Sequence, residues 1–145
     1  MDNPNTAPGH DDTIEQPGAR SGGSGDAGLR RHAFDLSAEL ERVRSAEGWR
    51  QGQHSARTLL KAADLRLVLI AMHEGDRIEE HRAPGHISIH ALSGHIRVTA
   101  ESGATDLPAG HVLTLERDAP HAVEALADSA FLLTIAWPAD AGARR

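Results

Sequence analysis

The sequence predicts an all-β fold, a small barrel of antiparallel strands preceded by one helix. Short apolar segments, separated by glycine, proline or aspartate, follow one another from residue 57 to residue 137. This regular spacing with tight turns is typical of β-sandwiches and β-barrels. Only one segment, near residues 36–47, has the spacing of an amphipathic helix instead.

The two ends of the chain are predicted to lie outside the folded domain. Residues 1–30 contain only three large apolar side chains among many glycine, proline, aspartate and serine residues. Such a segment cannot bury enough surface to offset its ordering entropy, so we expect a disordered tail. Residues 139–145 are expected to form a flexible C-terminus. The chain between these ends is long enough for one domain.

The predicted helix carries one apolar face. Leu36, Leu40 and Val43 repeat at i, i+4 and i+7 and form that face. Asp35 or Ser37 can cap the start of the helix, and a glycine at position 48 suits its exit. We expect residues 31–55, the helix and a polar connection, to pack on the outside of the barrel.

The barrel is predicted to span residues 56–138. Its expected strands are, in chain order, 57–61, 65–73, 77–81, 86–92, 95–100, 111–116, 121–126 and 130–137. Turn-forming residues such as Gly75-Asp76 and Pro84-Gly85 separate neighbouring strands. The segments 65–73 and 130–137 are apolar on both faces, which places them in the middle of the structure.

Composition excludes several classes of function. The net charge of −6 argues against nucleic acid as a partner, because phosphate binding needs a cationic face. No stretch approaches the ~20 apolar residues of a membrane helix, and no secretory signal is visible, so we expect a cytoplasmic protein without a membrane partner. The chain has no cysteine, which excludes disulfides and thiolate metal sites.

Histidines are concentrated in the strand region. Of the ten in the chain, five lie between residues 73 and 95: His73, His81, His86, His90 and His95. Side chains alternate along a strand, so His86, Ser88 and His90 share one face of the segment 86–92, and Ile87 and Ile89 share the other. A solvent-facing histidine face would make this an ordinary amphipathic strand, whereas a covered one would line a polar cavity. Periodicity leaves both possibilities open.

The region from Leu65 to Trp137 resembles the cupin superfamily, whose members form a small double-stranded β-helix barrel of the jelly-roll kind. The first cupin motif runs G-x5-H-x-H-x3,4-E-x6-G, and "GDRIEEHRAPGHISIHALSG" supplies its first glycine, His81 and the closing Gly94. The second motif runs G-x5-P-x-G-x2-H-x3-N, and "GHVLTLERDAPHAVEA" supplies Gly110 and His121. The resemblance implies a cupin barrel with histidines at the customary metal-ligand positions.

The chain also departs from the cupin pattern. Ala83 stands at the second histidine of the first motif, and the customary glutamate position falls on Ile87. In the second motif Glu116-Arg117-Asp118 replaces Pro-x-Gly, and Ala125 replaces the final asparagine. Two of the four customary ligand positions are therefore retained.

The resemblance implies a divalent metal ion held by imidazoles, with Fe, Zn, Ni, Cu and Mn as candidates. We expect His81, His86 and His121 to be its ligands, His86 being turned inward by a bulge near Pro84-Gly85. Three protein ligands leave a position open for water or substrate. Ser88 and His90 would line the pocket, and the chemistry would be dioxygenase-like or another metal-assisted reaction on a small molecule.

Two other interpretations stay open at this point. The barrel could be a non-enzymatic module that binds or senses a small ligand without metal. It could also be a dimerisation unit, because cupins commonly pair through their sheets and the apolar segment 130–137 could serve this contact. We expect a small-molecule ligand and a homodimer, and the sequence leaves open whether the protein is an enzyme.

Overall fold

The structure is a computed structural model that describes residues 31–137. The predicted tail, residues 1–30, and the predicted C-terminus, residues 139–145, lie outside the described residues.

A short helix begins the described chain. Helix α1 spans Leu36–Arg44 and is capped by Asp35, whose side chain accepts hydrogen bonds from the backbone N–H groups of Ser37 and Ala38 at 3.0 and 3.2 Å. The predicted end near residue 47 is wrong, because the chain leaves the helix at Ser45 and is extended at Ala46. A second helix, α2, follows at Glu47–Arg50 and was not predicted.

Nine strands follow among the described residues. They are β1 Ser55–Lys61, β2 Leu65–Met72, β3 Arg77–His81, β4 His86–Ser93, β5 His95–Ala100, β6 Gly103–Pro108, β7 Val112–Leu115, β8 His121–Ala125 and β9 Ser129–Ala136. The eight predicted strands are confirmed. Strand β6 was missed because its sequence, "GATDLP", lacks apolar alternation, and four of its residues are exposed. It forms by pairing with β5 at the edge of a sheet.

The strands form two antiparallel sheets. The larger has the order β1-β2-β9-β4-β7 and the smaller the order β3-β8-β5-β6. Alternate side chains from both sheets meet in one apolar core, which includes Ile70, Ile89, Val98 and Phe131. The predicted all-β barrel with an external helix is therefore confirmed.

Helix α1 covers the outer face of β1 and β2. Val43 packs there with Leu59 and Leu69, in a second apolar cluster separate from the core between the sheets. An ion pair also joins α1 to β1: Nε of Arg57 on β1 donates to Oε1 of Glu39 on α1 at 2.6 Å. Both side chains are largely buried.

The apolar strand β9 lies at the centre of the larger sheet, paired with β2 on one side and β4 on the other. Phe131 and Leu133 point into the core, and Leu132 packs with the cluster under α1. Its apolar side chains are therefore used within the chain rather than offered to a second copy. The homodimer stays a prediction. Of the helices in residues 31–137, none is long and apolar enough to cross a membrane.

Candidate functional site

Two buried histidines lie side by side at one end of the barrel. His81 is the last residue of β3, and His121 is the first residue of β8, directly opposite it in the pairing of the two strands. Their ring centroids are 4.4 Å apart at an interplanar angle of 58°, and each residue is 3% exposed. A shift in register between Ile78 and His81 brings the histidine onto the buried side of β3.

Each imidazole is oriented by its own chain. Nδ1 of His81 lies 2.8 Å from the carbonyl oxygen of Glu79, and Nδ1 of His121 lies 3.0 Å from that of Ala119. A carbonyl oxygen can only accept, so each Nδ1 carries the proton and donates it. In the neutral rings the lone pair is therefore on Nε2, which is the tautomer that suits hydrogen-bond acceptance or metal binding.

Two connections meet at this end of the barrel, which we call the barrel mouth. The β3–β4 connection, residues 82–85, and the β7–β8 connection, residues 116–120, meet there. The backbone N–H of Asp118 donates to the carbonyl oxygen of Ala83 at 2.9 Å, and Nη1 of Arg82 donates to the carbonyl oxygen of Asp118 at 3.1 Å. These bonds hold the residues preceding His121 against the residues following His81.

Asp118 has a left-handed backbone, with φ of 63°. It stands at the glycine of the second motif, three residues before His121. Glycine adopts this conformation at no steric cost, and aspartate is one of the few other residues that tolerate it. The turn that delivers His121 is therefore kept although its customary glycine is not.

The predicted third ligand lies on the other side of the sheet. His86 is exposed, and its neighbour Ile87 points into the core. Ser88 and His90 share the outer face with His86 and are half-buried. The interpretation of these three residues as ligand and pocket lining is therefore corrected, because Ile87 and Ile89 take the inward positions and no bulge at Pro84-Gly85 reverses the alternation.

The two cupin ligand positions at which this chain has no ligating residue lie in the apolar core. Ala83 and Ile87 are both buried and belong to the core. Within residues 31–137, no group of three or more His, Cys, Asp or Glu side chains is arranged to hold a metal ion. The structure brings together His81 and His121, and it places no third predicted ligand beside them.

Arg66 and Trp137 also lie at the barrel mouth and were not predicted as site residues. They are next to Leu65 at the start of β2 and Ala136 at the end of β9, which pair with each other, and Ala136 also pairs with His86 at the start of β4. The guanidinium carbon of Arg66 lies 4.0 Å from the centre of the Trp137 ring. Trp137 packs against the core. Sequence alternation with Val68 and Ile70 is the signal that could have placed Arg66 on the inner face.

The remaining histidines of the cluster serve other contacts. His73 stacks on Trp49 with ring centroids 3.5 Å apart, and its Nε2 lies 2.9 Å from the Trp49 carbonyl oxygen. It follows β2 and so lies at the end of the barrel opposite the mouth. Nε2 of His95 lies 3.7 Å from a carboxylate oxygen of Asp106 on the outer face of the smaller sheet.

Comparison with known proteins supports the architecture. No family model and no curated protein matches the sequence. Among solved structures, a cupin superfamily protein from Desulfitobacterium hafniense is 19% identical, with a TM-score of 0.58 over 59% of this chain and 79% of that chain. An RmlC-like cupin from Desulfovibrio desulfuricans is 22% identical, with a TM-score of 0.55 over 59% and 84%. The chain has the cupin fold.

A further match carries the highest identity of the three reported. A conserved protein of unknown function from Streptococcus pyogenes is 27% identical, with a TM-score of 0.58 over 61% of this chain and 77% of that chain. The resemblance read from the two cupin motifs is thus confirmed at the level of fold. Within this cupin barrel, the motif histidines that remain are the pair at the mouth, and the lost motif positions are filled by core residues.

Proposed function

We propose that this cupin is a binding module for a small organic molecule, which enters the barrel mouth and is held by His81 and His121. The observation that carries the proposal is the buried, cross-strand histidine pair at that end of a barrel whose core is apolar. Sites for small molecules are mostly apolar and contain a few convergent polar groups that fix the orientation of the ligand. The mouth has this composition.

The orientation of the two rings supports a role in hydrogen bonding. Both Nδ1 atoms are engaged by backbone carbonyls, so the ring planes cannot turn without breaking a bond. A preorganised polar group costs little ordering entropy when a ligand binds. The barrel core is apolar and includes Ala83 and Ile87, the residues at the two lost motif positions, which favours an apolar ligand body.

The experiment is a ligand-observed NMR screen with simple aromatic and aliphatic alcohols, amides and carboxylates. Hits are then titrated while the imidazole signals of the ¹⁵N-labelled protein are recorded. We expect hits that shift the signals of His81 and His121 and that bind at least about tenfold more weakly to His121→Gln, since loss of one buried hydrogen-bond partner has that effect.

His111→Gln is the matched control, because His111 is an exposed histidine on the β6–β7 connection. It should bind the same hits as the wild type. Hits that shift only surface histidines, or that ignore His121→Gln, would contradict the proposal.

A divalent metal is the second candidate, because the Nδ1–carbonyl bonds are those that metal-bound histidines usually make. The donor set fits a resident metal poorly: protein metal sites of this kind use three or four protein ligands, and here two imidazoles come together while the other two motif positions are the buried apolar residues Ala83 and Ile87. We therefore assign no reaction to a metal. Elemental analysis of protein purified without a histidine tag tests this candidate.

A further inference from the structure

Arg66 is a cation placed on the inner face of the barrel mouth. It lies two residues before Val68 and four before Ile70, both core residues, so its side chain leaves the same face of β2. The Trp137 ring covers its guanidinium at 4.0 Å. Its Nε is fully enclosed and has no hydrogen-bond partner in the described part of the chain. Burial lowers the pKa of this guanidinium.

A second cation stands beside it. Lys61 on β1 pairs directly with Arg66 in the antiparallel register, so the two side chains leave the same face of the sheet. Like charges directly opposite each other on neighbouring strands destabilise a sheet. No ion pair among residues 31–137 involves either residue, although six other ion pairs are formed there.

An anion would relieve both features. An enclosed N–H donor without an acceptor, such as Nε of the half-buried Arg66, costs free energy, and buried polar groups in proteins are almost always paired. The Trp137 ring lies over the guanidinium, whose five N–H groups lie in the guanidinium's own plane. Those groups form a fork that matches the two oxygens of a carboxylate.

We propose that Arg66, supported by Lys61, is the anion-recognising group of the barrel mouth, and that the ligand is a small organic carboxylate with an apolar body. This inference rests on the proposed function and adds the chemical class of the ligand. The carboxylate would meet Arg66 on the larger sheet, while the rest of the molecule faces the apolar residues and the histidine pair on the smaller sheet.

The test uses benzoate as the probe and benzamide, its uncharged analogue of similar shape, as the comparison. Trp49→Phe leaves Trp137 as the sole tryptophan, because the chain has two. Benzoate should change the Trp137 fluorescence with a saturating curve and bind at least about tenfold more tightly than benzamide. Added salt should weaken the binding of benzoate and leave the binding of benzamide unchanged.

Variants in the same background identify the cation. Arg66→Met should reduce benzoate affinity by about 10- to 100-fold. Lys61→Met alters an exposed side chain and should reduce benzoate affinity less than Arg66→Met does. If Arg66→Met does not fold, the Lys61→Met variant still tests the anion site. Arg50→Met removes an arginine from α2, outside the sheets, and should bind benzoate like the parent.

The outcomes separate this inference from the proposed function. Equal binding of benzoate and benzamide, weakened by His121→Gln but not by Arg66→Met or Lys61→Met, would overturn the anion site alone. Benzoate binding that needs Arg66 but ignores His121→Gln would support the anion site and contradict the role of the histidines. Absence of benzoate binding at millimolar concentration would overturn the anion site, whereas the proposed function is decided by the broader NMR screen.

Discussion

His81 and His121 face each other across β3 and β8, and each donates its Nδ1 proton to a carbonyl oxygen two residues earlier in the chain. The His81 ring is therefore oriented by strand β3 and the His121 ring by the β7–β8 connection. A hydrogen bond from Asp118 to Ala83 joins that connection to the one that follows His81. Changes to the turns, to the ligand positions and to the external helix should each have distinct effects.

The first prediction concerns metal ions. Zn²⁺ added to the tag-free protein should bind weakly, and His121→Ala should reduce its affinity at least about tenfold, since even loss of an outer partner of a metal ligand has that effect. His86→Ala should leave this affinity unchanged because His86 lies on the outer face. Isothermal titration calorimetry measures both.

A third histidine near the pair should raise the affinity for Zn²⁺. Ala83→His restores the histidine that the cupin motif places there, and it should tighten Zn²⁺ binding. Because protons compete for the imidazole nitrogen, bound Zn²⁺ should be released as the pH falls through the range in which histidines titrate. Equal sensitivity to His86→Ala and His121→Ala would show that the ion is bound nonspecifically.

The second prediction concerns Gly94 in the β4–β5 turn. Its φ is +78°, and an added Cβ would meet the Asp128 carbonyl oxygen and the Ser129 hydroxyl, and would lie 2.7 Å from the Ser129 Cα. Ser129 is fully buried and hydrogen-bonded to His95, so it cannot move aside. Gly94→Ala should lower the free energy of unfolding by about 2–5 kcal/mol, from backbone strain and overpacking together.

Gly75→Ala is the matched control for that change. Gly75 also has positive φ, +92°, but nothing lies within 4 Å of a Cβ added there. It should cost only the backbone strain, about 1–2 kcal/mol. Urea denaturation of both variants gives the comparison, and similar losses would show that the close approach at Gly94 relaxes.

The third prediction concerns Asp118. Asp118→Gly should raise the free energy of unfolding by about 0.5–1 kcal/mol, because glycine adopts the left-handed backbone without strain. Asp118→Val should lower it by about 1–2 kcal/mol, because a β-branched side chain is strained there. Thermal unfolding followed by circular dichroism measures both. A destabilised Asp118→Gly would mean that the aspartate side chain has a role in the turn.

The fourth prediction concerns the ion pair between Glu39 and Arg57. Their side chains are only 9% and 18% exposed, so Glu39→Ala should leave a largely buried cation without its partner and cost about 1.5–3 kcal/mol. The control is the exposed pair Arg50–Glu47, whose side chains are 61% and 72% exposed and whose atoms are 3.9 Å apart. Glu47→Ala should cost under about 0.5 kcal/mol. Chemical denaturation distinguishes the two.

The fifth prediction concerns acid stability. A charged row crosses the outer face of the smaller sheet, from Arg77 through Glu124 and Arg97 to Asp106. The hydrogen bond from Arg97 Nε, at 2.7 Å, lowers the pKa of Asp106. A carboxylate with a lowered pKa in the folded state stabilises the fold above its ordinary pKa and loses that effect as the pH falls through the lowered value.

Stability should therefore decline as the pH falls below about 4, the ordinary range of an aspartate. Asp106→Asn should remove this part of the decline while other carboxylates keep theirs. Unfolding curves at several pH values between neutral and acid test it. A variant with the same acid profile as the wild type would show that solvent screens the pair completely.

The order of the helix and strands in this chain could be predicted largely from local sequence. Apolar alternation and turn residues predicted eight of the nine strands, and Asp35 predicted the helix start, because hydrogen bonding and steric preference act over a few neighbouring residues. Motif spacing likewise predicted that His81 and His121 would belong together. Strand β6 escaped prediction because its backbone is held by pairing with β5 rather than by its own side chains.

The direction of each strand face was decided by packing between distant parts of the chain. Alternation separated His86, Ser88 and His90 from Ile87 and Ile89, but it could not say which set points inward. That choice depends on which face meets the other sheet, and the free energy of burying apolar surface places the isoleucines there. The same long-range packing brings Arg66 and Trp137 to the end of the barrel that holds the histidine pair, a meeting of residues far apart in sequence.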